Sequence, residues 1–206
     1  LSTQANTTNS EAIAFWEDYG VCRVNLAREM NYQDILAVRK ACPTMELESF
    51  IHGAMCLAVS GQCLMSNWLN NRPANLGRCT QPCRFEYKAK ETRFFSEESE
   101  QTYPELIVEE RKRPDQSLWR VYEEETYSSI WAPDDLCLLP YLPWFVAQKI
   151  TSLKIEGRTK SSGYVAHVAD AYKTALIAAA DYVANSTASS SESPDDFCQA
   201  FKYAPY

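Results

Sequence analysis

The chain has 206 residues, 46% of them hydrophobic and 23% charged, with a net charge of −7. This is globular rather than disordered composition, and it announces no general polyanion-binding surface. No apolar run approaches the roughly 20 residues of a membrane helix; Leu1 to Ser10 is polar with no leader pattern, so a cytoplasmic, reducing location without a membrane partner is expected.

Ser2 to Gln4 reads as a short strand entered without a lead-in, so the sequence is expected to be a piece of a longer chain. Asn6 to Ser10 offers several N-caps, and Ile13, Phe15, Trp16 and Tyr19 give Glu11 to Tyr19 a helical stripe that Gly20 stops. Val21 to Leu26 alternates as a strand. Tyr32 to Ala41 follows as a helix ended by Pro43, and Glu46 to Ile51 as a third strand. Such alternation predicts a parallel sheet with helical crossovers. Residues 53 to 87 hold four cysteines. Residues 88 to 102 read as a charged loop. Leu106 to Val108, Leu118 to Tyr122 and Tyr127 to Trp131 read as antiparallel strands. Asp134 to Gln148 reads as a helix interrupted by Pro140 and Pro143, Ser152 to Ile155 as a strand, and Tyr164 to Ala184 as a long Ala-rich helix. The expected organisation is an α/β framework over 1–55 and 132–184, a cysteine-rich region over 56–87, a charged loop with a β insertion over 88–131, and a flexible tail over 185–206.

Cys56, Cys63, Cys79 and Cys83 are separated by six, fifteen and three residues. In a reducing compartment such cysteines are metal ligands, reactive thiols or small buried hydrophobes rather than disulfides. Thiolates suit iron–sulfur and zinc sites, and the wide first gap departs from the paired spacing of zinc fingers. Gly53, Gly61 and Gly77 each precede a cysteine by two or three residues, which would let backbone approach a bulky inorganic group.

The run Glu48-Ser-Phe-Ile-His-Gly-Ala-Met-Cys56, followed after four residues by Gly61-Gln-Cys63-Leu-Met-Ser66, matches every fixed position of the pattern that defines peptidase family U32. Cys79-Thr-Gln-Pro-Cys83, Glu109-Glu110 with Arg113-Pro114, Asp135-Leu136 and Ser152 to Ser161 resemble the same family, so the resemblance runs from about residue 2 to about residue 180. It implies the C-terminal half of a TIM-like (β/α) barrel, carrying a cysteine-rich insertion that holds a 4Fe–4S cluster and a small antiparallel β subdomain. The implied ligands are Cys56, Cys63, Cys79 and Cys83, with Cys137 a rival for the fourth position. The implied activity is oxygen-independent RNA hydroxylation with prephenate as oxygen donor, and the tRNA branch, which forms 5-hydroxyuridine, matches best. A collagenase-like peptidase and a non-catalytic iron–sulfur partner subunit are the alternatives. Family members carry a further N-terminal barrel half, so that segment or a protein partner is expected to complete the fold.

Active sites of parallel α/β sheets lie at the C-terminal strand ends. The residues expected there are Gln4, Asn6, Arg28 and Lys160 for substrate binding and His52, Glu156 and Arg158 for catalysis. Arg28 suits a carboxylate-bearing donor. RNA contacts are expected from Arg111, Lys112, Arg113, Trp119, Arg120 and Tyr122 on the β insertion. A peptidase would need a nucleophile beside a base; neither G-x-S-x-G nor H-E-x-x-H occurs, and His52 and His167 are the two histidines.

Overall fold

The computed structural model describes residues 1–85, 87–96, 101–110, 118–121, 134–186 and 193–200. Its first half follows the sequence pattern closely. Helix α1 (Ser10–Asp18) is capped by Asn9, whose side chain accepts the Ala12 N–H at 2.8 Å. Strand β1 (Arg23–Asn25) follows, then helix α2 (Tyr32–Ala41) and strand β2 (Glu46–Gly53). Asn31 and Asp34 form a reciprocal capping box on α2, and Arg39 and Lys40 sit in its last turn, where cations complement the helix dipole.

Strand β2 is the hub of a four-stranded mixed sheet. Residues 46–48 pair in parallel with β1. Residues 48–53 pair in parallel with β7 (Ser152–Glu156), with an irregularity between Phe50 and His52. His52 and Gly53 pair antiparallel with β6 (Leu136–Cys137). Buried Ile13, Val24, Leu47, Ile51, Leu142, Trp144 and Ala175 form the core. Helix α5 (Ser162–Asn185) covers it with Tyr172, Ala175 and Ala179, spaced three and four residues apart on one face. The sheet is open: its four strands do not close into a barrel.

Between β2 and β6 the chain forms α3 (Met65–Asn70) and two 3-10 turns, Ala74–Leu76 and Pro82–Arg84. A separate antiparallel sheet follows, with β3 (Tyr87–Ser96) beside β4 (Gln101–Glu110) and β4 beside β5 (Leu118–Val121).

Several expectations are corrected. Ser2 to Gln4 is not a strand: Thr3–Ala5 is a 3-10 turn, with the Ser2 hydroxyl accepting the Gln4 N–H and the Thr3 hydroxyl bonded to the Leu26 carbonyl. Short hydroxyl side chains offer the backbone such local partners in place of a ladder. Leu1 does lie along β1, accepting the Asn25 N–H and donating to the Arg23 carbonyl. The helix expected from Asp134 begins only at Leu142. β6 and a 3-10 turn (Leu139–Tyr141) precede α4 (Leu142–Ala147), and Pro140 and Pro143 occupy early turn positions where a missing N–H does no harm. The loop expected over residues 88 to 102 is largely strand: β3 pairs with β4 over ten positions, and β4 begins at Gln101. The strand expected at Tyr127 to Trp131 lies outside the described residues. Within the expected tail, α6 (Pro194–Ala200) forms and buries Phe197.

Gly53 ends β2 at φ 101°, a conformation open to glycine, and a Cβ there would collide with the Glu156 carbonyl oxygen. Gly53→Ala should therefore lower stability by about 3 kcal/mol through strain and overpacking. Urea unfolding is the check: an unchanged midpoint would show that β2 and β7 do not meet this closely.

Candidate metal centre and its surroundings

The cysteine segment leaves the C-terminal end of β2, where Gly53 lets the chain pass over β7. Cys56, Cys63, Cys79 and Cys83 are all free and half-buried. Burial raises the Cys56 and Cys83 thiols. Ionised neighbours add to this, since Cys63 and Cys79 act on Cys56, and Cys56, Cys79 and Cys63 act on Cys83. The four sulfurs thus share one electrostatic space. Arg28 opposes the rise at Cys56, and Arg84 opposes it at Cys83. Backbone amides point at two of the sulfurs: Ala58 at Cys56, and Gln81 at Cys79 at 3.3 Å. Among the described residues no three His, Cys, Asp or Glu side chains close on a point as a single metal ion requires. Cys137 stands apart: it is exposed, and its sulfur lies 3.7 Å from the Tyr172 hydroxyl.

Contacts from distant parts of the chain hold this segment. Gln4 Oε1 accepts the Gly61 N–H at 2.7 Å, and the Gln4 carbonyl lies where a Gly61 Cβ would be. Glu29 accepts the Ser60 N–H at 2.7 Å, and the Arg28 guanidinium reaches the Ser60 hydroxyl at 3.1 Å. Ser66 and Thr80 are joined by two hydrogen bonds. Arg84 bridges the Met55 carbonyl at 3.0 Å and Asp135 at 2.9 Å. Arg158 donates to the Cys79 carbonyl and pairs with Glu156 at 3.4 Å.

The geometry recasts several expected site residues. Gln4, Arg28 and Arg158 brace the cysteine segment. Asn6 adopts the left-handed conformation, and its side-chain oxygen is buried without a partner among the described residues. Glu156, nearly buried, also accepts the Arg158 N–H at 2.8 Å. Lys160 pairs with Asp135 at 2.8 Å and sits over the Tyr164 ring. Gly53 and Gly61 give room to protein backbone, rather than only to an inorganic group, while a Cβ at Gly77 would meet nothing within 4 Å.

His52 lies between two tyrosines that sequence reasoning missed. Nε2 is 2.8 Å from the Tyr164 hydroxyl and Nδ1 is 3.3 Å from the Tyr172 hydroxyl. Tyr172 donates to the Ile51 carbonyl at 2.9 Å, so this hydroxyl can only accept from the His52 Nδ1–H, and Nε2 is then the acceptor for Tyr164. The sequence signal was available: Tyr164 and Tyr172 stand two helical turns apart on α5.

A groove of about 380 Å³ opens beside β2, lined by Arg28, Phe50, Met55, Leu138, Tyr141 and Trp144 among others. The Trp144 indole N–H is buried without a partner among the described residues. Arg28 lies over the Phe50 ring at 5.0 Å. Arg111, Lys112, Arg113 and Tyr122 lie outside the described residues.

Residues 1–202 match the model of peptidase family U32. The chain is 35% identical to tRNA hydroxylation protein P of Escherichia coli over 196 residues and 36% identical to tRNA hydroxylation protein P1 of Bacillus subtilis over 176 residues. It is 30% identical to a collagenase of Porphyromonas gingivalis over 186 residues. Each alignment covers 85% of this chain but only 43%, 36% and 39% of the respective relatives, so the chain spans about two-fifths of their length. No solved structure matches.

Burial holds the His52 pKa below its ordinary 6.5; Asp135 pulls it up and Lys160 pushes it further down. Between the lowered folded value and 6.5 the unfolded chain binds the proton that the folded chain refuses, so stability should fall as pH drops below 6.5. NMR titration of the His52 ring should give a midpoint below 6.5, and a midpoint at or above it would contradict this arrangement.

Proposed function

Because this chain belongs to peptidase family U32, we propose that it serves oxygen-independent hydroxylation of an RNA base, namely 5-hydroxyuridine formation in tRNA, with a 4Fe–4S cluster held by Cys56, Cys63, Cys79 and Cys83. The observation that carries this reading is the set of four free, electrostatically coupled thiols beside the C-terminal ends of parallel strands. Four thiolates in half-buried surroundings are costly without a cation among them. The all-sulfur donor set and the two amide-to-sulfur contacts suit iron–sulfur ligation. When bound, such a cluster supplies redox and Lewis-acid chemistry.

The chain's own residues have separate tasks. Hydroxylating a base C–H bond is a two-electron oxidation, so an oxygen donor must be reduced as the base is oxidised. A prephenate-like donor carries carboxylates on a six-membered ring. The groove offers apolar walls and the Arg28 guanidinium for such a molecule. Tyr164 and His52 form a chain along which a proton can move between Oη and Nε2, with Tyr172 holding the ring orientation. Glu156 and Arg158 fix the Cys79 side of the site, and Lys160 with Asp135 fixes Tyr164.

The open sheet is then one arc of a (β/α) barrel completed by further polypeptide. Leu1 bonds β1 on the edge away from β2 in the pattern of a parallel neighbour, and the relatives are more than twice as long. A reducing cytoplasm is the compartment such thiols suit; no described helix is long and apolar enough to cross a membrane. A peptidase reading gains nothing from the geometry. Burial raises the Cys56 and Cys83 thiols, the opposite of nucleophile activation, and both His52 nitrogens face tyrosine hydroxyls.

Protein purified without oxygen should contain about four iron and four sulfide per chain. Serine at Cys56, Cys63, Cys79 or Cys83 should abolish most of that content, whereas Cys137→Ser should leave it near the parent level. Mass spectrometry of tRNA from cells lacking the protein should show loss of a hydroxylated uridine. An iron-free parent protein, or full retention of iron in the Cys83→Ser variant, would overturn the ligand assignment.

A further inference from the structure

The chain carries 27 acidic residues, yet residues 49–85 contain none. In a molecule of net charge −7 this 37-residue stretch bears only positive formal charge, from Arg72, Arg78 and Arg84. Arg84 is already engaged with Asp135 and the Met55 carbonyl. Arg72 and Arg78 are exposed and meet no carboxylate among the described residues. The acids held against the segment by these bonds, Glu29 and Asp135, are engaged with the Ser60 amide and with Arg84.

The same stretch displays apolar surface. Trp68 is 72% exposed and Leu64, one turn earlier on the α3 face, is 76% exposed. Leu57, Val59 and Leu76 are exposed nearby in sequence. Exposed Gln62, Asn67, Asn71 and Asn75 add uncharged hydrogen-bonding groups. Helix α3 is held from its other side: Asn70 and Ser66 bond the Thr80 side chain at 3.0 and 3.2 Å, which ties the helix to the residue after Cys79.

From this combination we infer that the α3 face of the cysteine segment is the surface that receives a single-stranded RNA loop, with Trp68 stacking on an unpaired base and Arg72 and Arg78 meeting phosphates. The inference rests on the RNA-hydroxylation reading and assigns its substrate contact to this face rather than to the β insertion. Charge decides between occupants. A segment without acidic residues, bearing two guanidiniums that meet no carboxylate among the described residues, side-chain amides and a bare indole, matches the requirements of unstacked nucleotides.

The test is fluorescence anisotropy on the full polypeptide, purified without oxygen, with a labelled RNA hairpin bearing a uridine-rich loop and a fully paired duplex for comparison. Trp68→Ala should weaken hairpin binding about 5- to 100-fold, and Trp68→Phe should recover much of it. Arg72→Gln and Arg78→Gln should each flatten the salt dependence of log K by about 0.7. Lys173→Gln on exposed α5 removes the same charge and should leave binding unchanged. Iron content and circular dichroism establish that each variant is folded. If the parent binds the hairpin and the folded Trp68 and Arg variants bind as tightly, the surface assignment fails and RNA hydroxylation stands. It fails likewise if these variants keep RNA binding but change the sedimentation coefficient, which would make the face a protein interface. If Lys173→Gln weakens binding equally, the effect is net charge and the assignment also fails. A parent protein that binds no RNA overturns both readings.

Discussion

The arrangement depends on one close approach, that of the Gly53 backbone to the Glu156 carbonyl. It lets β2 keep pairing with β7 to its last residue and then release the chain directly into the cysteine segment. Pairing with β6 at the same two residues clamps the exit from the other edge. Any side chain at position 53 would separate β2 from β7. His52 would then move away from Tyr164 and Tyr172, and Arg158 away from Cys79, because these partners sit on or after β7. The site is therefore a property of the sheet's geometry before it is a property of its titratable groups.

Electrostatics works against that geometry. Burial and nearby thiolates both disfavour ionising Cys56 and Cys83, and the cations on hand, Arg28 at Cys56 and Arg84 at Cys83, oppose this only in part while also bonding Ser60 and Asp135. A cluster of this kind does not stabilise the fold on its own account. On the proposed reading, a bound cationic group would offset that cost. The Lys160–Asp135–Arg84 chain beside it is internally compensated, with Lys160 holding the Asp135 carboxyl below its ordinary range.

The sequence was most readable where a periodic pattern ran long enough to have only one solution. Tyr32–Ala41 matched to the residue, because a capping box opens it and Pro43 closes it. The Ala-rich helix was legible from its length. The two-residue β6 was not, since two residues have no period, and its pairing is decided by β2. Tyr87–Ser96 was hidden by charge: Lys88, Lys90, Glu91 and Arg93 imitate a loop until a ten-residue partner strand accounts for them. At the site, cysteine spacing located the thiols and excluded little else. The tyrosines at His52 could not be found that way, because they lie more than a hundred residues further along the chain.

Four separate stretches hold the cysteine segment: Gln4 at Gly61, Glu29 at Ser60, Asp135 at Arg84 and Arg158 at Cys79. None of these contacts uses a sulfur. The braces around the thiols are therefore protein-to-protein bonds, and one sulfur can be exchanged for another atom without undoing any of them.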